Sequence, residues 1–227
     1  MSEKEFPFVV KPLMGIPAKY QFFRPKWKDG FLSKVLVNSK FGEIRHVVVC
    51  DKTGKPLWDQ PVHIEPVGAI CIPVTKKGKI RLIKQFRPIV HPRRIHQKFP
   101  ETLQESYWGR TFLGVARGFP KKNESADETA ARETSEEVGS PALNVRKIGE
   151  INANSAFFHH MTPVFVVHID EELEGESLQD VNEAILRGGD YSLEQVKVLI
   201  ADNSIQDALD IAALSMYIQA FDGGWDK

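Results

Sequence analysis

Short apolar runs separated by polar turns dominate the first half of the chain. Residues 31–37 and 43–50 are rich in Val, Leu and Ile and flank Asn38-Ser39-Lys40-Phe41-Gly42, a pattern that predicts a β-hairpin. Val67–Val74 and Lys79–Phe86 repeat it around Thr75-Lys76-Lys77-Gly78, predicting a second strand–turn–strand unit. Pro88–Gly118 has no periodicity and is expected to be a long loop, a kind of segment that is usually functional or disordered. Residues 125–138 have the pattern of a helix, Pro163–Ile169 that of an apolar strand, and 171–190 that of an acidic, glycine-containing loop. Two more helices are predicted over about 192–200 and 204–220. In the last, Ile205, Leu209, Ala212, Met216 and Tyr217 recur at helical spacing and predict its buried face. Ahead of the first hairpin, Pro7, Pro12, Pro17 and Pro25 stand among Phe6, Phe8, Tyr20, Phe22, Phe23 and Trp27. Prolines at that density forbid a long helix, so an extended arm packed on its own domain or on a partner subunit is expected. Strands and helices in mixed order predict an α/β sandwich, with no internal repeat.

Composition narrows the function more than the fold. The 227 residues carry 30 Lys+Arg against 30 Asp+Glu. Zero net charge argues against a general binder of nucleic acid or of anionic membranes, which needs a basic excess. With 42% hydrophobic and 10% aromatic residues the chain can bury a core, of one large domain or of a core domain with a small accessory one. No apolar run approaches the roughly 20 residues that span a bilayer. Met1-Ser2-Glu3-Lys4-Glu5 lacks the layout of a secretion signal. Only Cys50 and Cys71 are present, too few for a disulfide framework or a thiolate metal site. A soluble protein of a reducing cytoplasm is expected.

Candidate chemistry concentrates in the first helix. Ser125 followed by Glu128 is a capping-box pattern that starts the helix at Ala126. Asp127 and Glu128 then sit at the favourable, positive end of the helix dipole, and Gly139 is placed to end the helix in a left-handed conformation. Glu133, Glu136 and Glu137 are less ordinary: spaced i, i+3, i+4, they share one face and crowd the negative end. Each like-charge pair costs roughly 0.2–0.5 kcal/mol, with a similar penalty from the dipole. Arg132 supplies one compensating charge against three. Hard oxygen ligands in this number suit Mg²⁺ or Mn²⁺, and a pair of such ions suits phosphate chemistry. A solvated acidic face is the alternative that the helix alone leaves open.

The full spacing shifts the balance. Gly118, Glu124, Arg132-Glu133, Glu136-Glu137 and Gly139 stand at the intervals of the Nudix box, and the segment resembles it. Seven such matches arise by chance on the order of once in a million chains of this length. The flanks are similar to the ADP-ribose pyrophosphatase branch: Val67–Val74, then Leu82-Ile83-Lys84-Gln85-Phe86-Arg87-Pro88, and at the end Ser192–Val196 with Ile205–Leu214. The upstream hairpin is similar to the N-terminal strands with which that branch dimerises. The resemblance implies a Nudix-type α/β/α sandwich with a mixed sheet over 61–227, and a dimerising antiparallel β region over 1–60, giving a homodimer. It implies metal-dependent cleavage of the pyrophosphate of a nucleoside diphosphate linked to another group, ADP-ribose or a related nucleotide sugar. Its ligands to Mg²⁺ or Mn²⁺ are Glu133, Glu136 and Glu137, helped by the backbone carbonyl of Arg117 or Gly118. Glu124 and Arg132 orient this cluster through an ion pair. The general base comes from a loop after the central strand, where Asn182-Glu183-Ala184-Ile185 selects Glu183, with Glu174 and Glu176 behind it. Each of these is otherwise a solvated loop carboxylate. Gln85 and Arg87 contact the phosphates or ribose, or else Arg87 fixes the sheet's edge.

Several positions depart from the branch. Gly114 stands where a Glu is frequent, four residues before the box glycine, and Asn152-Ala153-Asn154-Ser155-Ala156 replaces a Ser-Pro-Gly stretch. Thr134 and Ser140 stand where apolar residues are usual, and Ser140 is expected to loosen the packing after the helix. In Pro88–Gly118, Arg93, Arg94, Tyr107 and Trp108 form either a clamp for phosphate and base or a packed flap. His159-His160 precede a strand and are candidates for substrate contact, although partly exposed structural histidines are commoner. A house-cleaning nucleoside triphosphate pyrophosphohydrolase fits the same box. A Nudix-fold sensor that binds a nucleotide without cleaving it is the alternative from another class; the complete set of carboxylates favours the enzyme.

Overall fold

The structure, a computed structural model, describes residues 8–12, 35–39, 42–53, 55–90, 107–173 and 185–222. Contacts divide them into two units: residues up to Pro66 together with Asn152–His160, and Val67–Ile151 together with the chain from Met161.

The first unit is a four-stranded antiparallel sheet built on β3 (Gly42–Asp51). On one side β4 (Pro56–Ile64) runs along its length. On the other, β2 (Val35–Ser39) and β1 (Phe8–Pro12) divide it between them. The predicted hairpin is β2–β3, turning between Ser39 and Gly42. Of the aromatic arm, β1 falls among the described residues; the rest lies outside them. Asn152–His160 is tied to β4 by His63 N–H donating to Phe157 O at 2.7 Å and by His159 N–H donating to His63 O at 3.2 Å.

The second unit is a seven-stranded mixed sheet whose main path runs, by residue, through 185–191, 80–90, 69–75, 162–169 and 142–151, with two further strands paired beside it. Its central strand β5 (Ala69–Thr75) is buried on both faces and lies parallel to β10 (Thr162–Ile169). β9 (Ala142–Ile151) flanks β10 and β11 (Ile185–Tyr191) flanks β6 (Ile80–Val90), both antiparallel. Side chains along β5 alternate between two cores. Ile70, Ile72 and Val74 meet Val196 of α2 (Leu193–Ala201) and Ala213, Leu214 and Tyr217 of α3 (Ala208–Asp222). Ala69 and Cys71 face Ala130 of α1 (Ala126–Val138) on the other side. The α/β sandwich with a mixed sheet and a separate N-terminal antiparallel sheet is the fold expected. Cys50 and Cys71 are buried free thiols.

Four local expectations are corrected. Much of Pro88–Gly118 is strand: β6 runs to Val90, and the chain returns as β7 (Tyr107–Gly114) and β8 (Ala116–Gly118). The anticipated β5–β6 hairpin therefore splays. The two strands pair at Val74–Ile80, after which β8 pairs with β5 and β7 with β6. β11 replaces the end of the expected acidic loop, and β9 is a strand that the apolar pattern does not predict. Of the face predicted for the last helix, Ile205, just ahead of α3, and Tyr217 are buried as expected, whereas Leu209, Ala212 and Met216 are only partly covered and Asp210, Ala213 and Leu214 are buried instead.

Candidate active site

Helix α1 begins where its cap dictates. The Ser125 side chain accepts the Glu128 N–H, and the Glu128 carboxylate accepts the Ser125 N–H at 2.8 Å. At the other end Gly139 has φ 75° and its N–H donates to Ser135 O, the left-handed stop that glycine adopts without strain.

With both ends fixed, the helix sets Glu133 and Glu136 against its own Arg132, which also reaches Glu124 ahead of the cap. Its Nε donates to Glu124 Oε1 at 2.7 Å and its Nη2 to Glu124 Oε2 at 2.8 Å. Nη1 donates to Glu133 Oε1 at 2.8 Å and to Glu136 Oε2 at 2.7 Å, and Nη2 also reaches Phe119 O at 2.8 Å. Lys121 adds a second cation, its Nζ 3.0 Å from Glu136 Oε1. The hydrogen bonds from Arg132 hold the Glu124 carboxyl down at about 2, against burial. For Glu136 burial opposes ionisation, but Lys121 and Arg132 outweigh it and the pKa falls.

The strand beside the helix completes the group. Glu137, 4% exposed, accepts the Arg117 N–H at 3.0 Å on Oε2. Gly118 follows, and a Cβ there would overlap the Glu133 carboxylate, so only glycine lets this strand approach the box so closely. The Arg117 side chain turns the other way, its two terminal nitrogens 2.9 and 3.0 Å from the Asp207 carboxylate. Burial works against the Arg117 charge, but the Asp207 bridge and nearby Asp210 raise its pKa nonetheless. Asp210 is pushed up to about 7 by burial, with Arg117 opposing and Asp207 reinforcing the shift. Burial and then the Arg117 charge lower the pKa of Arg87, which is half-buried on β6 beside Gln85.

The residues fit a hard divalent cation in donor type: Glu133, Glu136 and Glu137 share one helix end, and the Arg117–Gly118 backbone lies against two of them. Among the described residues no three His, Cys, Asp or Glu side chains are already gathered in a ligating group. Arg132 instead bridges Glu133 and Glu136 while Glu137 is turned to β8.

The structure thus brings Gly118, Glu124, Arg132, Glu133, Glu136, Glu137 and the Arg117 backbone together, and sets Arg87 close enough to Arg117 and Glu137 to feel both charges. Glu174, Glu176 and Glu183 lie outside the described residues, as do Arg93 and Arg94. Ser140 does not loosen the packing: it is fully buried and accepts a hydrogen bond at 3.0 Å from Nη1 of Arg81. Arg81, itself 1% exposed, is held on its other side by Asp190 at 2.6 and 2.9 Å. This network, Asp207 and Asp210 are absent from the residues the sequence singles out. Their signal in the sequence is a charged residue inside an apolar run, Ile80-Arg81-Leu82 and Ile205–Leu214.

The fold and the acidic helix end together place the chain in a class: a mixed-sheet α/β sandwich with three glutamates at one helix end, two of them braced by arginine. The chain belongs to the NUDIX family: the NUDIX domain model matches residues 65–207, more than half of it. With every box carboxylate in place, it is a NUDIX pyrophosphohydrolase in class. Among solved structures it is similar to an ADP compounds hydrolase, at 20% identity and a TM-score of 0.55, covering 83% of this chain and 91% of that one. At that identity the likeness concerns the fold. No curated protein matches the chain in sequence.

Proposed function

We propose that the protein hydrolyses the pyrophosphate bond of a nucleoside diphosphate linked to a second group, with ADP-ribose or a related nucleotide sugar the first choice. The products are then a nucleoside monophosphate, AMP for ADP-ribose, and a sugar phosphate. The observation that carries this reading is the complete carboxylate set at the end of α1, braced by one arginine and pressed against a glycine-bearing strand. The likeness to an ADP compounds hydrolase supports the substrate class.

Glu133, Glu136, Glu137 and the Arg117 carbonyl would hold Mg²⁺ or Mn²⁺, which when bound neutralises phosphate charge and lowers the pKa of water. Around them the chain's residues divide the work. Arg132 and Glu124 fix the carboxylates in orientation. Gln85 and Arg87 meet the substrate's phosphates or ribose, and Glu183 takes the proton from the attacking water. The partner is a small nucleotide, and cytoplasmic location and a homodimer belong to the same reading.

Hydrolysis of ADP-ribose, ADP-glucose, GDP-mannose, NADH, diadenosine polyphosphates and dNTPs with Mg²⁺ or Mn²⁺, followed by product chromatography, tests it. AMP plus ribose 5-phosphate is the expected result; nucleotide binding with no cleavage in the whole panel overturns it. Glu137→Gln is expected to lower turnover at least about 100-fold while the protein stays folded. Unchanged turnover would remove Glu137 from the metal site.

A further inference from the structure

β7 and β8 form one run of chain that changes partners at Val115. Gly114 still pairs with Ile83 of β6, whereas Ala116 pairs with Cys71 of β5. At such a switch a backbone N–H leaves its ladder, and Val115, 2% exposed, has no water to turn to. Its N–H is directed at Asp210 Oδ1 on the first turn of α3, 3.4 Å away. The carboxylate reaches that place through the space in front of Gly114, where an added Cβ would overlap it. Three residues earlier, Asp207 caps α3 by accepting the Leu209 N–H at 2.9 Å and grips the Arg117 guanidinium through both oxygens. From the opposite side, the Arg117 N–H donates to Glu137 of the box. The segment Val115–Arg117 is therefore held by α3 at two points and by α1 at a third.

We propose that Asp207 and Asp210 are positioning residues that clamp Val115–Arg117 against the box helix, so that the Glu137 carboxylate and the Arg117 carbonyl stand together as oxygen donors for a divalent cation. This deepens the proposed function and rests on its metal assignment. Asp207 acts on the Arg117 side chain of β8 and Asp210 on the Val115 backbone just before that strand, and both come from the start of α3, some 90 residues further along the chain. Gly114 belongs to the same device, because any side chain there would push Asp210 off Val115.

Binding of Mn²⁺ alone to the full-length protein, read from the electron paramagnetic resonance of the free ion, separates the two ideas when thermal unfolding is recorded alongside. Asp207→Asn and Asp210→Ala are each expected to weaken Mn²⁺ binding roughly 10–100-fold in protein that is still folded. A purely structural role would lower the melting temperature and leave the affinity of the folded protein unchanged. Gly114→Ala should weaken binding in the native background and add nothing to Asp210→Ala, since the overlap is then gone. Unchanged affinity in folded Asp207→Asn, with Glu137→Gln weakening it, overturns the clamp and keeps the metal site. If Glu137→Gln also leaves Mn²⁺ binding intact, the metal assignment fails and the clamp falls with it. Should Asp210→Ala not fold, Asp207→Asn, which alters a partly exposed side chain, decides the matter.

Discussion

A guanidinium offers five N–H donors in one plane, and Arg132 makes five donations: two to Glu124, one each to Glu133, Glu136 and the Phe119 carbonyl. No lysine could reproduce that fork, and without it three carboxylates would crowd the negative end of a helix dipole. The Arg132–Glu124 pair makes a pH prediction. Hydrogen bonds from Arg132 hold the Glu124 carboxyl at about 2 in the folded chain, below the ordinary value of a glutamate. A depressed carboxylate stabilises the fold fully above its unfolded pKa, and the contribution disappears as pH falls toward the folded one. The stability gap between the native protein and Glu124→Gln should be constant above about pH 5 and shrink steadily between about pH 4.5 and pH 2. Urea unfolding across that range measures it; a gap that grows on acidification would contradict the pairing. Glu124 and Arg132 could be picked out in the sequence because each stands at a fixed interval from the box glycine. Asp207 and Asp210 show only as charges inside an apolar run, and what they hold stays hidden, because their partners, Arg117 and Val115, are some 90 residues away in the chain. Arg81 was hidden for the same reason, its partner Asp190 being paired only across β6 and β11.

Elements were legible where their signals are local. The capping box of α1 is written in four consecutive residues, and the helix starts at Ala126 as it requires. Strands announce themselves by a period of two, and that period fails at bulges. β9 shows the effect: its register against β10 shifts between Val164 and Phe165 and again between His168 and Ile169. As a result its more covered residues include Ala142, Val145, Ile148 and Ile151, a spacing of three that imitates a helix. β11 contains Gly188-Gly189, with Gly189 at φ 123° and a register shift there, and so resembles a loop in composition. For α1 the cap makes a prediction separate from the chemistry. Ser125→Ala removes the acceptor for the Glu128 N–H and should cost about 1 kcal/mol of stability, within the usual 0.5–2. Two further turns of helix lie between Ser125 and Arg132, so turnover well below the melting temperature should stay within about twofold of the native value. Calorimetry and a rate assay on the same preparation read both numbers. A large loss of turnover with an unchanged melting temperature would place Ser125 in the site itself.

At the scale of the whole molecule the two units differ in how they are filled. The Val67–Ile151 and Met161 onward unit has a core on each face of its sheet, with helices covering both. In the N-terminal unit, the buried apolar side chains among the described residues are Val49, Cys50 and Val62, while Trp58 on β4 is 40% exposed. A small sheet gains independent stability only when an apolar face is packed against something, and barrels aside, its edges invite pairing. If the homodimer expected from the sequence forms through this sheet, a second copy of the chain supplies packing of that kind. Light scattering at micromolar concentration should therefore give twice the 25.7 kDa of one chain. Dilution provides the sharper reading: if copies cover each other's N-terminal sheets, the melting temperature must fall as concentration falls, because association stabilises by mass action. A mass of one chain, with a melting temperature independent of concentration, would contradict the homodimer.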